Sequence, residues 1–123
     1  MQITYKEELA PVSFIAGDYQ EFEYTIMDID TNQPVKLSSE ANVEKFEMVL
    51  FRYGDSDNPV LKVSGAKRPS SSAFTVCLGS EITEALDSGL YIQQPIITDR
   101  YGRIFRPCQG TVNILSRGKE ENI

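Results

Sequence analysis

The sequence predicts an all-β domain: a two-sheet antiparallel sandwich with immunoglobulin-like connections, about seven strands and one short helical connector. Three observations carry that expectation. Short stretches of apolar–polar alternation, each closed by turn residues, recur along the chain. No strand-like stretch is followed by the long amphipathic helix that a parallel βαβ unit requires. The stretch from Leu90 to Leu115 reads as one long hairpin, with Asp99-Arg100-Tyr101-Gly102-Arg103 at its tip. A small barrel is the competing closure. At 123 residues the chain has the size of one domain, 1–123, able to bury about two thirds of its unfolded surface.

Met1–Lys6 alternates and reads as an edge strand or an arm, with residues 1–8 set apart from the domain. Leu9–Ile15 follows, Pro11 marking an edge or a strand entry, and Ala16-Gly17-Asp18 turns the chain. Tyr19–Asp28 puts Phe22, Tyr24 and Ile26 on one face and Glu21, Glu23 and Thr25 on the other. Asp30–Pro34 is a turn. Leu37–Tyr53 admits two readings. As a helix it is capped by Ser39 with Ala41, Val43, Phe46 and Leu50 near one stripe. As a strand from about Val43 it turns Phe46, Met48 and Leu50 inward. The density of aromatic and branched residues favours the strand, and Val49, Phe51 and Tyr53 then crowd its other face. Tyr53–Pro59 is a loop, and Val60–Ser64 a short strand with Leu61 and Val63 inward. Gly65–Ser72 is polar. Ala73–Leu78 turns Phe74, Val76 and Leu78 in and Thr75 and Cys77 out. Ser80 is placed to cap one or two helical turns over Ser80–Leu86, with Ile82 and Leu86 four apart.

The closing hairpin carries the most specific expectation. A three-residue loop of Arg100, Tyr101 and Gly102 wants glycine last, where φ is positive, and pairs Asp99 with Arg103. Continued without interruption, that register sets Ile97 opposite Phe105, Pro95 opposite Pro107, Gln93 opposite Gln109 and Tyr91 opposite Thr111. The proline pair is then a non-hydrogen-bonded one, and the two glutamines satisfy each other. Tyr91, just after the connector, is placed to return its hydroxyl to the connector's backbone. Residues 117–123 form a charged, frayed tail.

Chemistry is scarce. The chain has no histidine, the commonest general base and transition-metal ligand, and no P-loop, nucleophile elbow or dinucleotide fingerprint. Cys77 and Cys108 lack zinc-site spacing and read as small buried or half-buried thiols in a reducing cytosol. Asp28-x-Asp30-x-Asn32 resembles the opening of a calcium loop, but Gln33 stands where the glycine belongs and no glutamate closes it, so it reads as a solvated turn. No cofactor and no metal are expected. The net charge of −6 argues against nucleic acid, no apolar run is long enough for a membrane span, and no export signal opens the chain.

Four segments together resemble a known group. They are Phe14-Ile15-Ala16-Gly17-Asp18, the strand ending in Asp28, Asn32-Gln33-Pro34-Val35-Lys36-Leu37-Ser38, and Ser88-Gly89-Leu90-Tyr91 before a final hairpin with its own glycine. From about Phe14 to Ile114 the chain resembles the immunoglobulin-like N-terminal domain of bacteriophage baseplate upper proteins and related small tail and head-fibre proteins. It departs from the baseplate protein in stopping at 123 residues, without a downstream docking or fibre region. The resemblance implies a non-enzymatic structural or adaptor protein of a phage or prophage virion, made in the bacterial cytoplasm. Its partners would be other virion proteins or further copies of itself, with no nucleic acid and no membrane. The candidate interface is Val49, Phe51, Tyr53 and Tyr101. The alternative is a small glycan- or peptide-binding sandwich using the loop tyrosines and the Asp55–Asn58 loop.

Overall fold

The computed structural model describes residues 9–25, 27–28, 33–34, 43–67 and 73–116. The element order is β1 (Val12–Ile15), β2 (Gln20–Thr25), β3 (Met27–Asp28), β4 (Gln33–Pro34), β5 (Val43–Arg52), β6 (Pro59–Ser64), β7 (Ala66–Lys67), β8 (Ala73–Leu78), α1 (Ser80–Glu84), β9 (Gly89–Asp99), β10 (Ile104–Phe105) and β11 (Gly110–Leu115). The larger sheet runs β1-β11-β9-β5-β6, with β10 also on β9. The smaller sheet runs β2-β8-β7, and β3 and β4 form a separate ribbon. This is the expected immunoglobulin-like two-sheet sandwich, with one departure from antiparallel order. β1 pairs β11 in parallel, Val12 beside Val112 through Ile15 beside Leu115. The parallel pair follows from the chain's path. β1 leaves through the Ala16–Asp18 turn to the other sheet, so its direction is not bound to β11 by any hairpin.

The inner faces meet where the alternation requires. Phe46, Met48 and Leu50 of β5, Tyr91 and Ile97 of β9 and Val112 and Ile114 of β11 pack on Phe22 and Tyr24 of β2 and Phe74, Val76 and Leu78 of β8. Met48 and Leu50 are wholly inaccessible, each contributing about 1.5–3 kcal/mol of apolar burial. Phe46 stacks on Phe74 at 4.4 Å between centroids and meets Tyr24 at 5.3 Å, tying the two sheets together. Gly65 lets the chain cross from β6 to β7. A Cβ there would lie 2.7 Å from a Phe46 ring carbon and 3.2 Å from a Val76 methyl. The Gly65 amide donates to the Phe46 carbonyl at 2.8 Å.

At its tip the closing hairpin has the expected register, with Phe105 opposite Ile97 and Gly102 at φ 81°. Beyond Phe105 the ladder breaks, and when it resumes it has slipped by one residue. Gly110 is opposite Gln93, and Val112 rather than Thr111 is opposite Tyr91. Pro107 lies within the break, so no proline pair forms; Pro95 instead faces Met48 on β5. The physical reason is facial. An unbroken register would turn Thr111, Asn113 and Leu115 toward the core, whereas the slip buries Val112 and Ile114. Gln93 is therefore not matched with Gln109. Its side-chain oxygen accepts from the buried Tyr24 hydroxyl, and burial pushes that phenol up in pKa so that it stays a donor.

The connector differs from its expectation in how it is held. Gly79, not Ser80, is its N-cap, with no side-chain cap bond, and Ile82 is partly exposed. Thr83 is the buried residue. Its Oγ1 donates to the Asp18 carbonyl at 2.7 Å and accepts from the Gly17 amide at 3.0 Å, stapling α1 to the β1–β2 turn. Tyr91 behaves as expected, its hydroxyl donating to the Asp87 carbonyl at 2.7 Å. Cys77 is exposed, as its outward parity on β8 requires, and Cys108 is half-buried, neither in a disulfide; Thr75, expected outward, is buried. The calcium-like turn, Ile26 and both chain ends fall outside the described residues.

Tyr91→Phe removes one buried hydroxyl and leaves the Asp87 carbonyl without that donor. We expect a loss of about 1 kcal/mol with the fold intact, a fall of about 4 °C in Tm measured by thermal circular dichroism.

Candidate interaction surface

Alternation along β5 and β9 gives the larger sheet an outer face bearing Val49, Phe51 and Tyr53 beside Gln94, Ile92 and Leu90. Two of the four candidate interface residues, Val49 and Phe51, are buried within the single chain. They are 6% and 7% exposed and form a second buried cluster with Ile92 and Ile96. The single chain shields them, so they are not available for docking. Glu47 also sits on this face, 8% exposed, between the ammonium groups of Lys45 at 3.6 Å and Lys62 at 3.5 Å.

Tyr53 and Tyr101 are exposed, at 64% and 65%. They stand at opposite ends of the sandwich. Tyr53 follows β5, its amide donating to the Leu90 carbonyl at 3.0 Å, whereas Tyr101 lies in the loop beyond Asp99. From Leu90 to Asp99 the strand covers about 30 Å at about 3.3 Å per residue. The two tyrosines therefore belong to two surfaces and cannot form one platform.

The Tyr53 end carries an apolar row that the sequence reading did not include. Tyr53 is opposite Leu90, Leu90 lies diagonal to Leu115 across the β9–β11 pair, and Leu115 is paired with Ile15. Leu90, Leu115 and Ile15 are 43%, 44% and 41% exposed, so the row crosses four strands on the solvent side. Leu90 was visible in the parity of β9. Leu115 was not, because only the register slip turns it outward.

The Tyr101 end is polar and rigid. Asp99, 4% exposed, accepts from the Tyr101 and Arg103 amides at 2.9 Å each, and from Arg103 Nε at 2.7 Å. The Gly102 amide closes onto the Asp99 carbonyl at 3.0 Å. Burial opposes charge on Asp99, but the hydrogen bonds from Arg103 and Tyr101 outweigh it and hold the carboxyl below its ordinary range. The guanidinium carbons of Arg100 and Arg103 lie 5.2 and 5.3 Å from the Tyr101 ring centre.

No group of three or more metal-ligating side chains occurs among the described residues, and none of their helices is long and apolar enough to cross a membrane. No protein-family model and no curated protein matches the chain. Among solved structures it is similar to CopC from Methylosinus trichosporium OB3b, with a TM-score of 0.51 and 11% identity, over 89% of this chain and 88% of that one. It also aligns with the fibronectin(III)-like modules of Clostridium thermocellum CbhA, at a TM-score of 0.48 and 6% identity, over 95% and 98% of the two chains. A Listeria monocytogenes internalin-like protein aligns at 0.46 and 14%, over 92% of this chain and 30% of that one. The CopC likeness shows a shared fold and nothing further.

The pKa of Asp99 is lower folded than unfolded, so its contribution to stability is present above the ordinary carboxylate value near 4 and is lost as pH falls through the folded value. Denaturant unfolding of wild type and Asp99→Asn at pH 7 and pH 3 should show a clear deficit in the variant at pH 7 that narrows at pH 3. A deficit independent of pH would overturn the assignment.

Proposed function

We propose that the chain is a non-enzymatic structural or adaptor component of a phage or prophage virion, acting through protein–protein contacts. The observation that carries the contact role is the row of Tyr53, Leu90, Leu115 and Ile15, apolar side chains held in solvent on a rigid sheet face. The virion setting rests on the resemblance in Phe14–Asp18, Asn32–Ser38 and Ser88–Tyr91 to the N-terminal domains of baseplate upper proteins. A glycan-binding role gains no support from the geometry, since the two loop tyrosines are about 30 Å apart and Tyr101 is already flanked by arginines.

The test uses particles purified after induction of the strain that encodes the chain. Quantitative mass spectrometry should find the wild-type chain in the particles at a fixed copy number. Leu90→Glu, an exposed position whose change should cost the fold no more than about 0.5 kcal/mol, should reduce incorporation at least tenfold. A chain absent from purified particles would sink the virion role. Undiminished incorporation of the variant would remove the apolar row from the contact.

A further inference from the structure

Among the described residues the two ends of the sandwich carry exposed side chains of opposite charge. At the hairpin tip stand Arg100, Arg103 and Arg106, all exposed, beside the buried carboxylate of Asp99; neighbouring Glu44 and Lys45 cancel. At the other end Asp18, Asp55, Asp57, Glu81, Glu84 and Asp87 are all exposed, against the guanidinium of Arg52. These acids are brought together by described bonds. Thr83 of α1 holds the Asp18 carbonyl, Arg52 Nη2 holds Asp87 at 3.0 Å, and the Asp55 amide donates to the Arg52 carbonyl at 2.9 Å.

From this separation we infer that the domain binds a second copy of itself head to tail, the arginine tip of one copy seated against the acidic end of the next. The inference rests on the reading of the chain as a protein–protein contact module and names one partner for it. Within one chain the two ends are about 30 Å apart and cannot neutralise each other, but between copies each end meets a surface of complementary charge. Each end also offers apolar area for the contact: Tyr101 and Ile104 at the tip, 65% and 55% exposed, and Tyr53 and Ile82 at the acidic end, 64% and 37% exposed. The tip is rigid before binding, since Asp99 fixes its backbone, so little ordering entropy is lost on docking. Because the two surfaces differ and lie at opposite ends of β9, the contact is heterologous and extends into open rows rather than closing as a two-fold dimer. Exposed ion pairs are individually weak, so the association is concentration-dependent and salt-sensitive.

The experiment is light scattering on the full chain over a concentration series, in about 20 mM and about 500 mM salt. In low salt the weight-average mass should rise above the 13.8 kDa monomer with concentration, and in high salt it should return to the monomer. Two charge-reversed chains complete the test, Arg100→Glu/Arg106→Glu and Asp55→Lys/Asp57→Lys/Glu81→Lys. Each alone should stay monomeric in low salt, its two ends now alike in sign. Mixed one to one they should recover association, since each variant's tip then faces an end of opposite charge. A wild-type chain monomeric in low salt overturns the inference, as does a mixture that stays monomeric. An assembly untouched by salt and by both reversals but lost in Leu90→Glu also overturns it, while leaving the contact role of the apolar row standing.

Discussion

Strand β9 has hydrogen-bonded neighbours along both edges, β5 on one side and first β10 and then β11 on the other, and the slip between the last two governs much of the rest. The tip register is set locally by Asp99 and Gly102. The core, however, needs Val112 and Ile114 beside Tyr91 and Gly89, one residue out of step with that register. The break at Arg106–Gln109 reconciles the two demands. It costs ladder bonds that Pro107 could not have completed in any case, and it buries two branched side chains that would otherwise face water. It also turns Leu115 outward, so an exposed surface feature follows from a core requirement.

Among the described residues, three buried polar groups serve as joints between elements. Gln93 takes the Tyr24 hydroxyl across the gap between the sheets, Thr83 ties the connector to the β1–β2 turn, and Tyr91 ties β9 to the residues just before it. Each would cost about 1–3 kcal/mol if left unpaired. Each bond therefore favours a single arrangement of its two elements, where apolar contact alone would tolerate small displacements. The tip and the acidic end are held at fixed positions by the same device.

What was legible in the sequence was local. The type of β5 followed from Phe46 to Tyr53 being dense in aromatic and branched residues, the tip loop from Gly102, and the Tyr91 bond from its distance to the connector. What was not legible depended on the rest of the chain. Alternation placed Val49 and Phe51 on the outer face but could not tell that they would be shielded there. The parallel setting of β1 depends on where the chain crosses between sheets. Ser80 looked like a cap, but the helix is anchored instead through Thr83, whose partners lie 66 and 65 residues away. The candidate site was half legible: Tyr53 and Tyr101 are on the surface, while their separation to opposite ends is a property of the length of β9.

Association through sheet edges is poorly served by this chain. Among the described residues the outer strands are β1 and β6 in one sheet and β2 and β7 in the other. β1 has four residues and follows Pro11, β6 opens on Pro59 and carries Lys62, β7 has two residues, and β2 presents Glu21 and Glu23. Short strands, prolines and charges of this kind are what deter strand addition from another chain. The centre of the larger sheet's outer face is already shielded by the chain itself. With edges blunted and that centre covered, the described residues offer exposed surface toward the ends of the sandwich: the apolar row and acidic cluster at one, the arginine tip at the other. Both are held by short hydrogen bonds to strand ends rather than by long loops, so whatever docks there meets a preformed surface.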